Sequence, residues 1–166
     1  DEPRKASSLL KRVWTATGHP DAAILYAHAK PGSSALERLK RLETLISDPG
    51  ASPEAAIVLA RAAIDAYEWD LARDALAPFI KDGPTRKACL LMAEIEEGQT
   101  GDQGKARVWL SRAATAPADP IWVADGVTSE DWAPVSPATG RLDAFAWKVP
   151  VTASTPSSPA GIAIAT

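Results

Sequence analysis

Cysteine, aromatic residues and long apolar runs are all scarce in this chain. A lone thiol, Cys89, excludes an intramolecular disulfide and any cage of thiolates around a metal. It stands beside Leu90 and Leu91 in a helical run, where a small core residue is expected rather than a reactive nucleophile. The longest apolar runs, Ala55 to Ala60 among them, fall far short of the roughly 20 residues a membrane span needs. No basic excess exists either. The net charge is −3, whereas a chain that binds nucleic acid is expected to carry a basic face. Aromatics make up 6% of the 166 residues and alanine is abundant, which suits packed short helices better than a sheet.

Catalytic constellations are missing too. His19 and His28 straddle a helix start with no ligand or triad partner at useful spacing, and read as partly exposed helix-end residues. Glu94, Glu96 and Glu97 read as a solvated helix face. Gly98 to Lys105 superficially resembles a phosphate loop. That loop needs four residues between its outer glycines and Ser or Thr after the lysine; here five intervene and Ala106 follows. A flexible turn between helices is expected there. The chain is therefore read as no enzyme, with no cofactor and no bound metal.

What is present is a repeat. From Pro53 to Pro84 two short helices fold back on each other. Ala56, Leu59, Ala60, Ala63 and Ile64 form one apolar stripe, a bend follows at Tyr67–Glu68, and Trp69, Ala72, Leu76 and Phe79 form the second. Gly83–Pro84 stops the unit. The pattern recurs at about 34 residues: Leu42, Leu76 and Leu110; Leu45, Phe79 and Ala113; Leu25 and Leu59; Ala72 and Ala106. A helix is expected from Arg4 to Ala16, then pairs at Asp21–Ala29 with Ser34–Ser47, the central unit, and Thr85–Glu97 with Gln103–Ala116. Ser34 with Glu37 spells a capping box, and Ser52-Pro53-Glu54 a cap with a proline start.

The central unit resembles the tetratricopeptide family residue by residue. Leu59-Ala60 stands at its Leu-Gly pair, Trp69 at the aromatic opening the second helix, Ala72 at the small crossing position, and Pro84 at the terminal proline. Ala60 replaces the usual glycine and Ala63 the usual tyrosine. The resemblance implies an all-α helical-hairpin solenoid over residues 1–120, with Trp69 buried where Ala60 and Ala72 cross. It also implies a groove lined by the first helix of each pair, where Arg61, Asp65, Glu94 and Lys30 would meet a protein or peptide partner.

The segment 121–149 differs in kind, holding Trp122, Trp132 and Trp147 and little helical periodicity. Trp122-Val-Ala-Asp-Gly-Val127 and Trp132-Ala-Pro-Val-Ser-Pro-Ala-Thr-Gly140 resemble a rubredoxin-like zinc ribbon without its cysteines. The ligand positions fall on Ala124, Val127, Ser136 and Thr139, none of which holds zinc. Either a small β ribbon kept together by aromatic packing or an irregular capping segment is expected.

Residues 150–166 have the composition of a flexible low-complexity tail. Ile162 and Ile164 share one face of an extended strip. They are expected to dock on a repeat groove, in the same molecule or a neighbour, and so to allow self-association.

Repeats followed by such a ribbon are similar to the C-terminal half of alphaproteobacterial HemY-type proteins, which are membrane-anchored and associated with haem-biosynthesis genes. That resemblance implies an N-terminal anchor outside this sequence. It also implies an inner-membrane location with the helical domain facing the cytoplasm, this fragment itself being soluble, and a role as an interaction scaffold. Two alternatives stay open: a lipopolysaccharide-assembly-type repeat regulator, a family that normally keeps its ribbon cysteines, and a porphyrin- or haem-binding module.

Overall fold

The computed structural model describes residues 2–151. They fall into two compact units, the first ending at Ala118 and the second beginning at Asp119. The chain is mostly helical, with a small three-stranded sheet.

Seven α-helices build the first unit: α1 (Glu2–Thr17), α2 (Pro20–His28), α3 (Ala35–Leu45), α4 (Pro53–Asp65), α5 (Trp69–Leu76), α6 (Arg86–Ile95) and α7 (Gln103–Thr115). Their ends follow local chemistry. The Glu37 N–H donates to Ser34 Oγ at 3.2 Å and the Ser34 N–H to Glu37 Oε2 at 2.9 Å, which closes the capping box. Ser52 Oγ accepts from the Ala55 N–H ahead of Pro53, and Asp102 Oδ1 accepts from the Lys105 N–H to start α7. Tyr67, at a φ of 59°, makes the left-handed turn between α4 and α5.

Consecutive helices joined by short loops pack as hairpins: α2 with α3, α4 with α5, α6 with α7. The first helices form a layer of their own, α4 lying against both α2 and α6. The Pro117 carbonyl accepts from the Arg86 N–H, returning the end of the last hairpin to the start of its first helix. Arg41 on α3 donates to the Tyr26 carbonyl and to Ser7 Oγ, and its guanidinium lies 4.6 Å from the Tyr26 ring centre. It thereby links α1, α2 and α3.

Burial corrects the repeat interval. From α5 to α7 the interval of 34 holds for Ala72 and Ala106, both buried, but the expected leucine ladder breaks: Leu42 and Leu76 are buried and Leu110 is exposed. The first helices advance by 33. Ala22, Ala55 and Ala88 are buried in turn, as are Ala23, Ala56 and Cys89, and Ala27, Ala60 and Ala93. The expected match of Leu25 to Leu59 gives way, because the buried series sets an interval of 33, which pairs Leu25 with Val58 and Leu91. The difference of one residue is absorbed after α6, where Glu96–Thr100 winds into a single π-helical turn closed by left-handed Gly101. The stretch read as a flexible turn is therefore a hydrogen-bonded one.

Trp69 is also placed differently from expectation. Ala60 and Ala72 are fully buried, but Trp69 is only partly so, and its ring lies against Gly98 in the π turn, where any Cβ would overlap it. The ring thus reaches the next hairpin while also packing on the core and meeting the Tyr67 ring edge to face at 5.9 Å.

In the second unit, β1 (Ile121–Ala124) pairs antiparallel with β2 (Val127–Ser129) and with β3 (Ala146–Lys148), in the order β2-β1-β3. Trp122 and Trp147 are cross-strand partners whose rings meet edge to face at 5.3 Å, a pairing that stabilises adjacent strands. The segment is a small three-stranded antiparallel sheet.

Candidate functional site

The 33-residue interval brings three side chains of the first-helix layer into line: His28 on α2, Arg61 on α4 and Glu94 on α6. Arg61 and Glu94 form a two-pronged pair, Nη1 to Oε2 at 2.8 Å and Nη2 to Oε1 at 2.6 Å. Asp65, one turn along α4, lies 3.7 Å from Arg61 Nη1. These bonds, chiefly those from Glu94, raise the Arg61 guanidinium above its usual range, and partial burial opposes the shift.

One turn before each of these residues comes an aliphatic side chain: Ile24, Ile57 and Leu90. Ile24 and Leu90 are exposed and Ile57 is half-buried. The face is thus an apolar row beside a charged one, with no basic cluster and no nucleophile.

Three of the four groove residues named from the sequence meet here. Lys30 does not join them: its Nζ lies 3.4 Å from Glu37 Oε1 at the α2–α3 turn. Ile162 and Ile164 lie outside the described residues. Cys89 is fully buried in α6, in keeping with a core role.

The solvated-face reading of the acidic run fits Glu94 and Glu97, both exposed, and is corrected at Glu96, which is buried. Glu96 stands 33 residues after the buried Ala63, so the corrected interval points its carboxylate inward. Arg73 on α5 reaches it at 2.8 Å and also donates to Gln99 Oε1 at 2.9 Å; Gln99 Nε2 in turn donates to Asp70 Oδ1 at 2.7 Å. This network fastens α5 to the π turn. Arg73 and Glu96 are too far apart in sequence to show a helical pairing signal, and only the interval of 33 would have exposed Glu96 as interior.

At the four ribbon positions, Ala124 and Ser136 are almost fully buried, while Val127 and Thr139 are exposed. Asp125, on a left-handed turn with Gly126, accepts from the Thr139 hydroxyl at 2.6 Å and from Arg141 at 3.0 Å, and hydrogen-bonds the Ser136 hydroxyl. Ser136, Thr139 and Arg141 all hold the Asp125 carboxyl below its usual range, Ser136 most, against a small opposing effect of burial. Ser136 Oγ also accepts from the Ala138 and Thr139 N–H groups at 3.3 and 3.4 Å. A carboxylate clasp therefore joins the two turns. Among the described residues no three His, Cys, Asp or Glu side chains gather as metal ligands, and no helix is long and apolar enough to cross a membrane.

Comparison with known proteins gives one named relative. The chain is 30% identical over 149 residues to the probable magnetosome protein Mms48 of Magnetospirillum gryphiswaldense. That alignment takes in 86% of this chain, which spans about a third (32%) of the relative's length. No family model matches the chain, and no solved structure matches it.

Proposed function

We propose that the helical unit is a tetratricopeptide-type interaction scaffold whose first-helix face receives a protein or peptide partner. The observation that carries this reading is the row of Ile24, half-buried Ile57 and Leu90, exposed at its two ends, beside the His28–Arg61–Glu94 row. Apolar side chains next to ordered charges in a helical-repeat layer suit peptide capture rather than chemistry. The layout also fits the HemY-type resemblance. On that reading the whole protein is anchored in the inner membrane, with the scaffold facing the cytoplasm and serving haem biosynthesis. The magnetosome relative is likewise a larger protein of which this region is one part.

Capture of partners from solubilised membranes with immobilised chain tests the reading. A partner kept by the unaltered chain should be lost by Ile57→Asp and weakened by Arg61→Glu with Asp65→Lys, with the circular dichroism of each variant unchanged. Retention of the same partners by both variants would remove the face from consideration. A saturable Soret shift on haem titration would move the reading to a haem-binding module.

A further inference from the structure

The second hairpin and the helix that follows it do not close completely on each other. Between the start of α4, the end of α5 and the start of α6 lies a partly enclosed cavity of about 180 Å³. Its carbon walls include Ile57 on α4, Leu76 and Phe79 at the end of α5 and the turn after it, and Ala88 on α6. All the described walls come from residues 53–88, the middle of the helical unit. Among the described lining side chains only Asp82 and Thr85 bear polar atoms, and Asp82 is exposed. Thr85 occupies the N-cap of α6, where a threonine hydroxyl ordinarily accepts from a backbone N–H in the first turn. Here it makes no such bond, and its Oγ1 is buried with no hydrogen-bond partner among the described residues. A buried hydroxyl in that state costs free energy until something pairs with it.

Size and polarity together define the occupant. A dry cavity of about 150 Å³ holds a benzene ring, so this one admits such a ring with a further heavy atom or two. The ring meets carbon on most sides, and a hydroxyl on it pairs with Thr85 as donor or acceptor. A ring without that hydroxyl leaves Thr85 unpaired, and a site built around a buried hydrogen-bonding group rejects analogues that lack the partner. Exposed Asp82 turns away carboxylates and phosphates. Ile57 lines the cavity and also stands in the Ile24–Ile57–Leu90 row, so the cavity borders the first-helix face. We infer that it receives the phenol ring of a tyrosine on the peptide partner, with the phenol hydroxyl bonded to Thr85 Oγ1. This anchor rests on the scaffold reading of that face and gives the partner its defining side chain.

Two probes separate ring from hydroxyl: p-cresol, the tyrosine side chain without its backbone, and toluene, the same ring without the hydroxyl. Titrated into the full chain, p-cresol should shift the Ile57, Leu76 and Ala88 methyl signals saturably and bind about fivefold tighter than toluene. Thr85→Val keeps the shape and loses no cap bond. It should leave the circular dichroism unchanged and erase the preference by weakening p-cresol alone. Ala88→Val, which fills the cavity, should exclude both ligands. Capped Ala-Tyr-Ala should repeat the preference over Ala-Phe-Ala, and lose it in Thr85→Val. The tyrosine anchor is overturned if p-cresol does not saturate up to about 5 mM, if toluene binds as well, or if the preference survives Thr85→Val. Entry of p-cresol without the tripeptide would overturn it too, leaving a site for free phenols. Arg61→Glu with Asp65→Lys changes the face and leaves the cavity walls intact. Cresol binding kept in that variant, with no partner captured by the unaltered chain, would refute the scaffold and not the phenol site. Captured partners without cresol binding would refute the anchor alone.

Discussion

Glu96 and Gly98 show how much one residue can carry in an alanine-rich core. Glu96 is buried where its counterpart Ala63 needs no partner, and Arg73 alone supplies the compensating charge. Arg73→Ala should therefore cost about 2–4 kcal/mol, somewhat less than a fully buried pair because Arg73 keeps partial contact with water. Urea unfolding measures this, and Glu96→Ala in the same background should recover most of the loss. Gly98 is needed for a different reason: it gives the Trp69 ring room. Gly98→Ala should overpack that contact by about 1–3 kcal/mol, and Trp69→Leu should suppress the effect. Neither dependence was readable from the sequence, because both join residues over 20 positions apart with no local signature.

At the scale of elements, helix starts were the most legible feature. Ser34, Glu37, Ser52 and Pro53 act on backbone groups within one turn, and such chemistry is local. The repeat interval was less so. Alanine at many interior positions lets 33 and 34 both look regular, and only the burial of the series Ala22–Ala55–Ala88, Ala23–Ala56–Cys89 and Ala27–Ala60–Ala93 makes Val58 rather than Leu59 the counterpart of Leu25. The change of character after residue 120 was visible through tryptophans, prolines and glycines, but the clasp in the sheet unit was not, since Asp125 occupies none of the four positions compared with metal ligands.

The clasp makes a sharp prediction about acidity. Asp125 has its carboxyl lowered in the folded ribbon, so its contribution is fully present above the unfolded carboxylate range near pH 3.9. It is lost as the pH falls through the lower, folded value. The Trp122 and Trp147 indole signals should report loosening of the ribbon in that acid window, and Asp125→Asn should abolish the pH dependence while loosening the ribbon at neutral pH. Changing Ala124, Val127, Ser136 and Thr139 together to Cys should create a site for one zinc. Failure of that variant to retain zinc through dialysis would count against the ribbon's superposition on a metal site.

For the whole molecule, stability is graded along the helical stack. α1 has no fully buried residue, whereas α6 buries Ala88, Cys89, Leu91, Met92, Ala93 and Ile95. Amide exchange should accordingly be fastest in α1 and slowest in α4 and α6, without a single uniform protection level. The general scheme of hairpins followed by a ribbon was present in the sequence, because hydrophobic period and breakers declare it. The pairing of charges between hairpins had to come from packing.

The same gradient bears on how the chain is made. During synthesis α1–α3 leave the ribosome before α4–α7, and the interior contribution from α2 is only Ala22, Ala23 and Ala27. Such small side chains remove little apolar surface from water, at about 25 cal/mol per Å². The nascent α1–α3 segment should therefore stay loosely formed until Val58, Leu59 and Leu76 leave the exit tunnel, and the helical unit should consolidate from α4 outward rather than from α1.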